Sequence, residues 1–82
     1  MDEDFTLPVL YNNKEHLFPA RLLSFGYSYK IEVDIDDLKV RFEPDEERNW
    51  RALISYEELQ ANKTISKDLL GAIATTIEQI TG

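Results

Sequence analysis

Hydrophobic and polar residues alternate strictly along residues 25–43, and this is the most regular pattern in the chain. Apolar or aromatic side chains occupy the odd positions of residues 25–35 and the even positions of residues 38–42, on either side of Asp36-Asp37. A period of two is typical of strands that bury one face. The pattern therefore predicts a β-hairpin in which Asp36-Asp37 is a two-residue turn.

The charged residues of this hairpin predict its register independently. Three opposite-charge pairs face one another across the polar side if the turn has two residues: Asp34 with Lys39, Glu32 with Arg41, and Lys30 with Glu43. A shift by one residue would break every pair and turn the apolar side chains outward. Each pair contributes only about 0.2–1 kcal/mol, so the apolar face supplies the stability and the charges select the alignment.

Two further strands are predicted before this hairpin. The alternation at residues 5–10 predicts a half-buried strand, and Pro8 places it at the edge of the sheet because proline has no N–H to donate. Asn12-Asn13 is the predicted turn, since asparagine tolerates the left-handed conformation better than most residues. A second strand is predicted from about Glu15 to Leu23.

The connection to the third strand completes an antiparallel meander. A turn around residues 24–27 sets Leu22 opposite Tyr29. Two features oppose this arrangement: Pro19 lies inside an inner strand, and Arg21 and Lys30 face each other as like charges. We therefore expect a bend near Pro19.

The end of the chain predicts two helices. Residues 48–54 are ambiguous: Trp50, Ala52 and Ile54 alternate as in a strand, whereas the acidic residues before them are typical of a helix start; we predict a fifth strand. Ser55 and Glu58 form a capping-box pattern, which predicts a short helix to about Ala61 with Asn62 as its left-handed stop.

The last helix is predicted from an apolar stripe at helical spacing. The stripe starts after an N-cap at Ser66 or Thr64 and consists of Leu69, Leu70, Ile73, Ile77 and Ile80. Since the stripe matches the apolar face of the sheet, we predict an α+β fold. An antiparallel β-meander of four to five strands then carries a short helix and a C-terminal amphipathic helix on one face, as a two-layer sandwich.

The length and composition of the chain limit the classes of protein to which it can belong. The chain has 82 residues, 43% of them hydrophobic, and no cysteine, which predicts a single domain (1–82) without disulfides. We expect a disordered acidic N terminus at residues 1–4, the sheet at 5–54 and the helical part at 55–82. The start has no secretory pattern and no apolar run is long enough to span a membrane, so we expect a cytoplasmic protein without a membrane partner.

The formal net charge of −7 and the residues that could act in catalysis or metal binding reduce the number of functions that we expect. Nucleic acid is not expected as a ligand, because its phosphates are bound by clustered basic residues. His16 has no second histidine or cysteine beside it, and we interpret it as a turn-flanking residue opposite Val9 rather than a general base. No metal site, cofactor or phosphate-binding loop is predicted, and an enzyme that uses acidic residues ranks last.

Protein binding is the function that we favour. A strip of leucines on the outer side of the sheet and one tryptophan predict a contact surface for a protein partner or a homodimer: Leu10, Leu17, Leu23 and Trp50, with Lys39, Arg41 and Arg51 as rim charges. The chain would present a sheet face or edge, with dimerisation through strand one as one form of contact.

Small-molecule binding is the alternative. Tyrosine and tryptophan are in excess, and a pocket between sheet and helix is predicted to be lined by Tyr27, Tyr29, Trp50 and Tyr56.

Overall fold

The computed structural model describes residues 3–47, 49–62 and 65–81. Its elements are β1 (Glu3–Tyr11), β2 (Lys14–Phe25), β3 (Ser28–Ile35), β4 (Leu38–Pro44), β5 (Trp50–Leu53), α1 (Tyr56–Ala61) and α2 (Lys67–Thr81). The five strands form one antiparallel sheet in the order β1-β2-β3-β4-β5. The predicted α+β meander is confirmed, and the ambiguous segment supplies the fifth strand.

Three two-residue turns connect the first four strands. Asn12 and Asn13 have φ of 54° and 61°, and Asp36 and Asp37 have φ of 48° and 71°. Positive φ at both central residues defines the type I′ turn, whose twist matches that of the flanking strands. The third turn begins at Gly26 with φ of 69°, a conformation that glycine adopts without steric cost.

The predicted register of the β3–β4 hairpin is confirmed. Ile35 lies opposite Leu38, and the pairing continues to Ile31 opposite Phe42. The ladder ends at this pair, and the third predicted charge pair, Lys30 with Glu43, would be the next position beyond it. Glu43 lies opposite Arg51 of β5, whose Nη2 donates to the Glu43 Oε1 at 2.7 Å.

The predicted register between β2 and β3 was wrong by two residues. The turn is Gly26-Tyr27, so Leu22 lies opposite Ile31 and Arg21 lies opposite Glu32. The two-residue turn is tighter than the four-residue stretch that we considered, and it replaces the like-charge pair with an opposite-charge one. The conflict that opposed the meander therefore does not exist.

Pro19 explains where the pairing of β2 with β3 ends. With a two-residue turn, the hydrogen-bonded pairs of this ladder fall at odd positions of β2, and the next one would join Pro19 to Asp34. Proline has no N–H for that pair, and the ladder stops at Ala20 opposite Val33. The ladder with β1 runs through Pro19 without a bulge. Residues 14–19 of β2 therefore extend beyond β3 as part of a protruding β1–β2 hairpin.

The core lies between α2 and one face of the sheet, here called the inner face. The most deeply buried strand residues are 0–2% exposed and share this face: Leu7, Val9, Ile31, Val33, Ile35, Val40 and Phe42. Helix α2 contributes Leu69, Leu70, Ile73 and Ile77. Ile80, which we predicted as part of the stripe, is 55% exposed because it lies in the last turn of the helix.

Helix α2 is anchored at both of its ends. Near its start, the hydroxyl groups of Ser66 and Tyr11 are 3.1 Å apart, and the Leu69 N–H donates to the Ser66 Oγ at 3.1 Å. Near its end, the Trp50 N–H donates to the Glu78 carboxylate at 3.1 Å. Ser66 is thus the N-cap, and Thr64 lies outside the described residues. The helix spans the sheet from β1 to β5.

Helix α1 has the predicted capping box. The Ser55 side chain accepts from the Glu58 N–H, and the Glu58 side chain accepts from the Ser55 N–H. The predicted left-handed stop at Asn62 was wrong, since its φ is −112°. Its side-chain amide donates to the Glu58 carbonyl at 2.9 Å, which caps the helix without a positive φ.

The N-terminal strand begins earlier than predicted. Residues 1–4 were expected to be disordered, but β1 begins at Glu3, and Asp4 binds Arg21 on the neighbouring strand. Residues 1 and 2 lie outside the described part of the chain. None of the helices in that part is long and apolar enough to cross a membrane.

Candidate functional site

The face of the sheet opposite α2, here called the outer face, is the candidate site. Side chains alternate between the two faces, so the outer face carries the even positions of β1 and β3 and the odd positions of β2, β4 and β5. Most of these residues are exposed or half-buried. Because strand register places them in rows across the sheet, their neighbours can be identified one by one.

One row carries charges of alternating sign. Asp4, Arg21, Glu32 and Arg41 are successive cross-strand neighbours. The Arg21 Nε donates to the Asp4 carboxylate at 2.7 Å, and the Arg41 Nε donates to the Glu32 carboxylate at 3.3 Å. The charges of this row thus compensate one another on the surface.

The position of Asp4 beside Arg21 changes the pKa of its carboxyl group. The hydrogen bond from Arg21, followed by the attraction of its positive charge, lowers the pKa of the Asp4 carboxyl below its usual value. The side chains of Arg21 and Asp4 remain 48% and 74% exposed, so water screens the pair. It contributes to alignment more than to stability.

The protruding hairpin carries apolar residues on the same face. We call them the hairpin patch: Pro8, Leu10, Leu17 and Pro19, all of them exposed. Leu10 is 71% and Leu17 is 62% exposed. Pro8 lies directly opposite Leu17, and Leu10 is the diagonal neighbour of Leu17. Two large exposed leucines between two prolines form a contiguous apolar surface, which is typical of a contact site.

An open groove of about 490 Å³ begins beside the hairpin patch. Its lining includes the small outer-face pair Thr6 and Pro19, which lie opposite each other in the β1·β2 ladder. Besides Phe5 and Ala20, the rest of the lining consists of charged residues of both signs: Asp4, Arg21, Glu32, Asp34 and Lys39.

The predicted interface residues do not all share one surface. Leu10 and Leu17 lie together on the outer face, and Lys39, Arg41 and Arg51 lie on the charged part of it. Leu23 is only 9% exposed, so it does not extend the patch.

Trp50 belongs to the core. It is 6% exposed and packs among the buried residues of the inner face. The alternation of Trp50 with Ala52 and Ile54 indicated the apolar side of β5, and in the structure Trp50 is buried on that side.

The predicted aromatic pocket is only partly assembled. The rings of Tyr29 and Trp50 are 5.7 Å apart and tilted by 54°. Tyr27 is fully exposed in its turn, and Tyr56 is 70% exposed on α1. None of the four lines the groove beside the hairpin patch, nor a second groove of about 610 Å³ near Arg51.

His16 lies opposite Val9, as predicted, among aromatic neighbours. Its ring centroid is 6.0 Å from those of Tyr11 and Phe18, and it stacks on Phe18 with an interplanar angle of 9°. This is a packing environment on the inner side of the protruding hairpin.

The acidic residues of the β4–β5 connection also have structural contacts. The Asp45 carboxylate accepts from the backbone N–H groups of Glu47 and Asn49, at 2.8 and 2.9 Å. Among residues 3–47, 49–62 and 65–81, no group of three or more acidic or histidine side chains is arranged to hold a metal ion.

Sequence reasoning missed Pro8, Thr6 and Pro19 as parts of the site. The two prolines were placed beside the leucines on the outer face, but they were not counted as contact residues. The parity of the β1·β2 ladder was the available signal, because it places all three residues on the same face as the two leucines.

The fold and the site define a small α+β domain: a five-stranded antiparallel meander with one covered face and one open face. Comparison of the chain with protein-family models, with curated proteins and with solved structures finds no match.

Proposed function

We propose that this chain is a protein-interaction module that binds its partner through the hairpin patch on the outer face of the sheet. The observation that carries the proposal is the exposure of Leu10 and Leu17, at 71% and 62%, on a strand pair that extends beyond the sheet. A partner reaches an apolar surface there without removing water from the paired charges of the neighbouring rows.

The two sheet edges favour binding through the face over binding through an edge. The odd positions of β1 make the hydrogen-bonded pairs with β2, so the N–H groups of its even positions point to the open side of β1. Pro8 is at an even position and has no N–H to offer to another strand there. At the other edge, the Glu78 carboxylate accepts the N–H of Trp50 on β5. Both devices are ways in which edge strands avoid pairing with other chains.

The net charge of the chain favours some partner proteins over others. A net charge of −7 repels acidic proteins and accelerates the approach of basic ones, whereas the apolar patch supplies the contact. The cytoplasm is the compartment in which we expect this interaction to regulate a partner protein.

Affinity capture from a lysate of the source cells tests the proposal. We expect the unmodified protein to retain a protein that Leu17→Asp does not retain, because a carboxylate in the contact would have to be desolvated. Tyr56→Asp is the matched control, since Tyr56 is also exposed, at 70%, and belongs to α1 rather than to the sheet. Capture that is equal in all three proteins would contradict the proposal.

A further inference from the structure

We infer that the groove beside the hairpin patch binds a small zwitterion, namely an α-amino acid with an apolar side chain. The inference goes beyond the proposed function, because the ligand is a small molecule and the groove is a separate site on the outer face. Three observations carry it: two opposite charges in the groove that do not pair, the order of the side chains in the row that crosses it, and the surfaces that border this row.

Asp34 and Lys39 are the charges of the groove that a ligand can use. The other charged residues of the lining belong to the row of ion pairs described above. Asp34 lies opposite Lys39 at a position without backbone hydrogen bonds, where side chains of neighbouring strands come closest. Among residues 3–47, 49–62 and 65–81, however, neither side chain makes a hydrogen bond or an ion pair. The groove thus presents one half-buried carboxylate and one exposed ammonium group.

The row that crosses the groove presents its chemical groups in the order that suits an α-amino acid. From β4 to β1 the row consists of Lys39, Asp34, Pro19 and Thr6, all of which line the groove. Neighbouring strands are about 4.8 Å apart, so successive groups of the row match groups that are a few bonds apart on a ligand. Lys39 binds the carboxylate of the amino acid, Asp34 binds its ammonium group, and the Pro19 ring contacts its side chain.

The rows on either side favour a ligand side chain that is apolar. Leu17 precedes Pro19 by two residues on the same face and is 62% exposed. A ligand side chain that extends from Pro19 towards Leu17 is therefore removed from water. On the other side, the charged row is compensated by its own ion pairs. A second charge on the ligand would thus have to compete with those pairs.

The size and openness of the groove predict weak binding. Its volume of about 490 Å³ is within the range of about 300–1,000 Å³ that is typical of small-molecule sites. Because the groove is open, water screens both of its unpaired charges. We therefore expect a dissociation constant in the millimolar range. Such a site responds to a ligand that is present at millimolar concentrations.

Titration of the isotope-labelled full chain with L-leucine, followed by the amide NMR spectrum, tests the inference. We expect saturable shifts of the amide signals of Thr6, Asp34 and Lys39. N-acetyl-leucine lacks the ammonium group and leucinamide lacks the carboxylate. Each should bind about 5-fold more weakly than leucine, because it loses one of the two screened charge contacts.

Two substitutions test the same contacts on the protein. Asp34→Asn and Lys39→Gln should each weaken leucine binding about 5-fold. The rest of the amide spectrum should stay unchanged, since neither side chain is bonded to another described residue. Glu57→Gln and Lys67→Gln are the matched controls, because they remove the same charges from exposed positions on the helices. They should leave the dissociation constant unchanged.

Several results would overturn the inference. One is an amide spectrum that leucine does not change at millimolar concentrations, and another is equal binding by Asp34→Asn or Lys39→Gln. Leucinamide that binds as tightly as leucine would assign the groove to a cation alone, and N-acetyl-leucine that does so would assign it to an anion alone. A protein that captures a partner through Leu17 but does not bind leucine would overturn this inference and leave the proposed function standing.

Discussion

The inner and outer faces of the sheet are built from alternate residues of the same strands, but they meet different surroundings. On β4, Val40 and Phe42 point into the core and are at most 2% exposed, whereas Lys39 and Arg41 between them point to water. The inner face is covered by α2, and the outer face is open. One strand thus contributes both to the core of the domain and to the charged part of its outer face.

The two faces thus specify the fold in different ways. The inner face removes large apolar side chains from water, which contributes most of the stability. The outer face holds paired charges, which contribute little energy but penalise a shifted register. The hairpin patch is an exception on the outer face, as is Leu53 on β5, because these apolar residues remain in water.

The largest expected effect comes from truncating the inner face. Phe42→Ala should lower the free energy of unfolding by about 3–5 kcal/mol, because Phe42 is fully buried and its removal leaves a cavity. Leu17→Ala, on the outer face, is the control and should change it by less than about 0.5 kcal/mol. Urea denaturation followed by Trp50 fluorescence measures both. Equal losses would show that the outer face is also covered in solution.

An intermediate effect is expected where α2 is anchored over the inner face. Ser66→Ala should cost about 0.5–2 kcal/mol, since it removes the N-cap of α2 and the contact with the Tyr11 hydroxyl. Ser55→Ala removes the cap of α1, a helix without buried residues, and should mainly speed amide exchange within that helix. Denaturation and hydrogen exchange distinguish the two. A larger global loss for Ser55→Ala would mean that α1 also holds the core.

The smallest expected effect concerns the charged row of the outer face. Because Arg21 lowers the pKa of Asp4 in the folded protein, the pair adds stability above the ordinary aspartate pKa of about 3.9, and this is lost as the pH falls through the lowered pKa. Asp4→Asn should therefore lose slightly less stability than the unmodified protein between about pH 6 and pH 3. Thermal unfolding at both pH values measures the difference, and a larger loss for Asp4→Asn would contradict the assignment.

Local patterns predicted the elements well where charge and hydrophobicity agreed. Residues 31–42 carry both signals, and their turn and register are confirmed, whereas Phe25 ends β2 and Gly26-Tyr27 form the preceding turn. The β2–β3 connection had only weak signals, and there we overestimated the turn by two residues. The position of Pro19 was compatible with either register until the hydrogen-bonding parity of the strands was known.

The candidate site was less predictable from the sequence, because its position depends on which residues are covered by other parts of the folded chain. Leu10, Leu17 and Leu23 are alike in the sequence, yet only the first two are exposed. The aromatic ring of Trp50 is in the core, although tryptophan is typical of binding sites. Alternation assigns a side chain to a face, but it does not show how much of that face is covered: Leu23 shares the outer face with Leu10 and Leu17 and is nevertheless buried.

The strand order has a consequence for how the domain folds. Since each strand pairs with the next one along the chain, the sheet can grow from one hairpin to the next over short loops, which favours fast folding for a β-rich protein. The contact between α2 and β1 joins the two ends of the sequence and closes the longest loop. We therefore expect the docking of α2 to be the slow, committing step, and Tyr11 and Ser66 to meet only after the meander has formed.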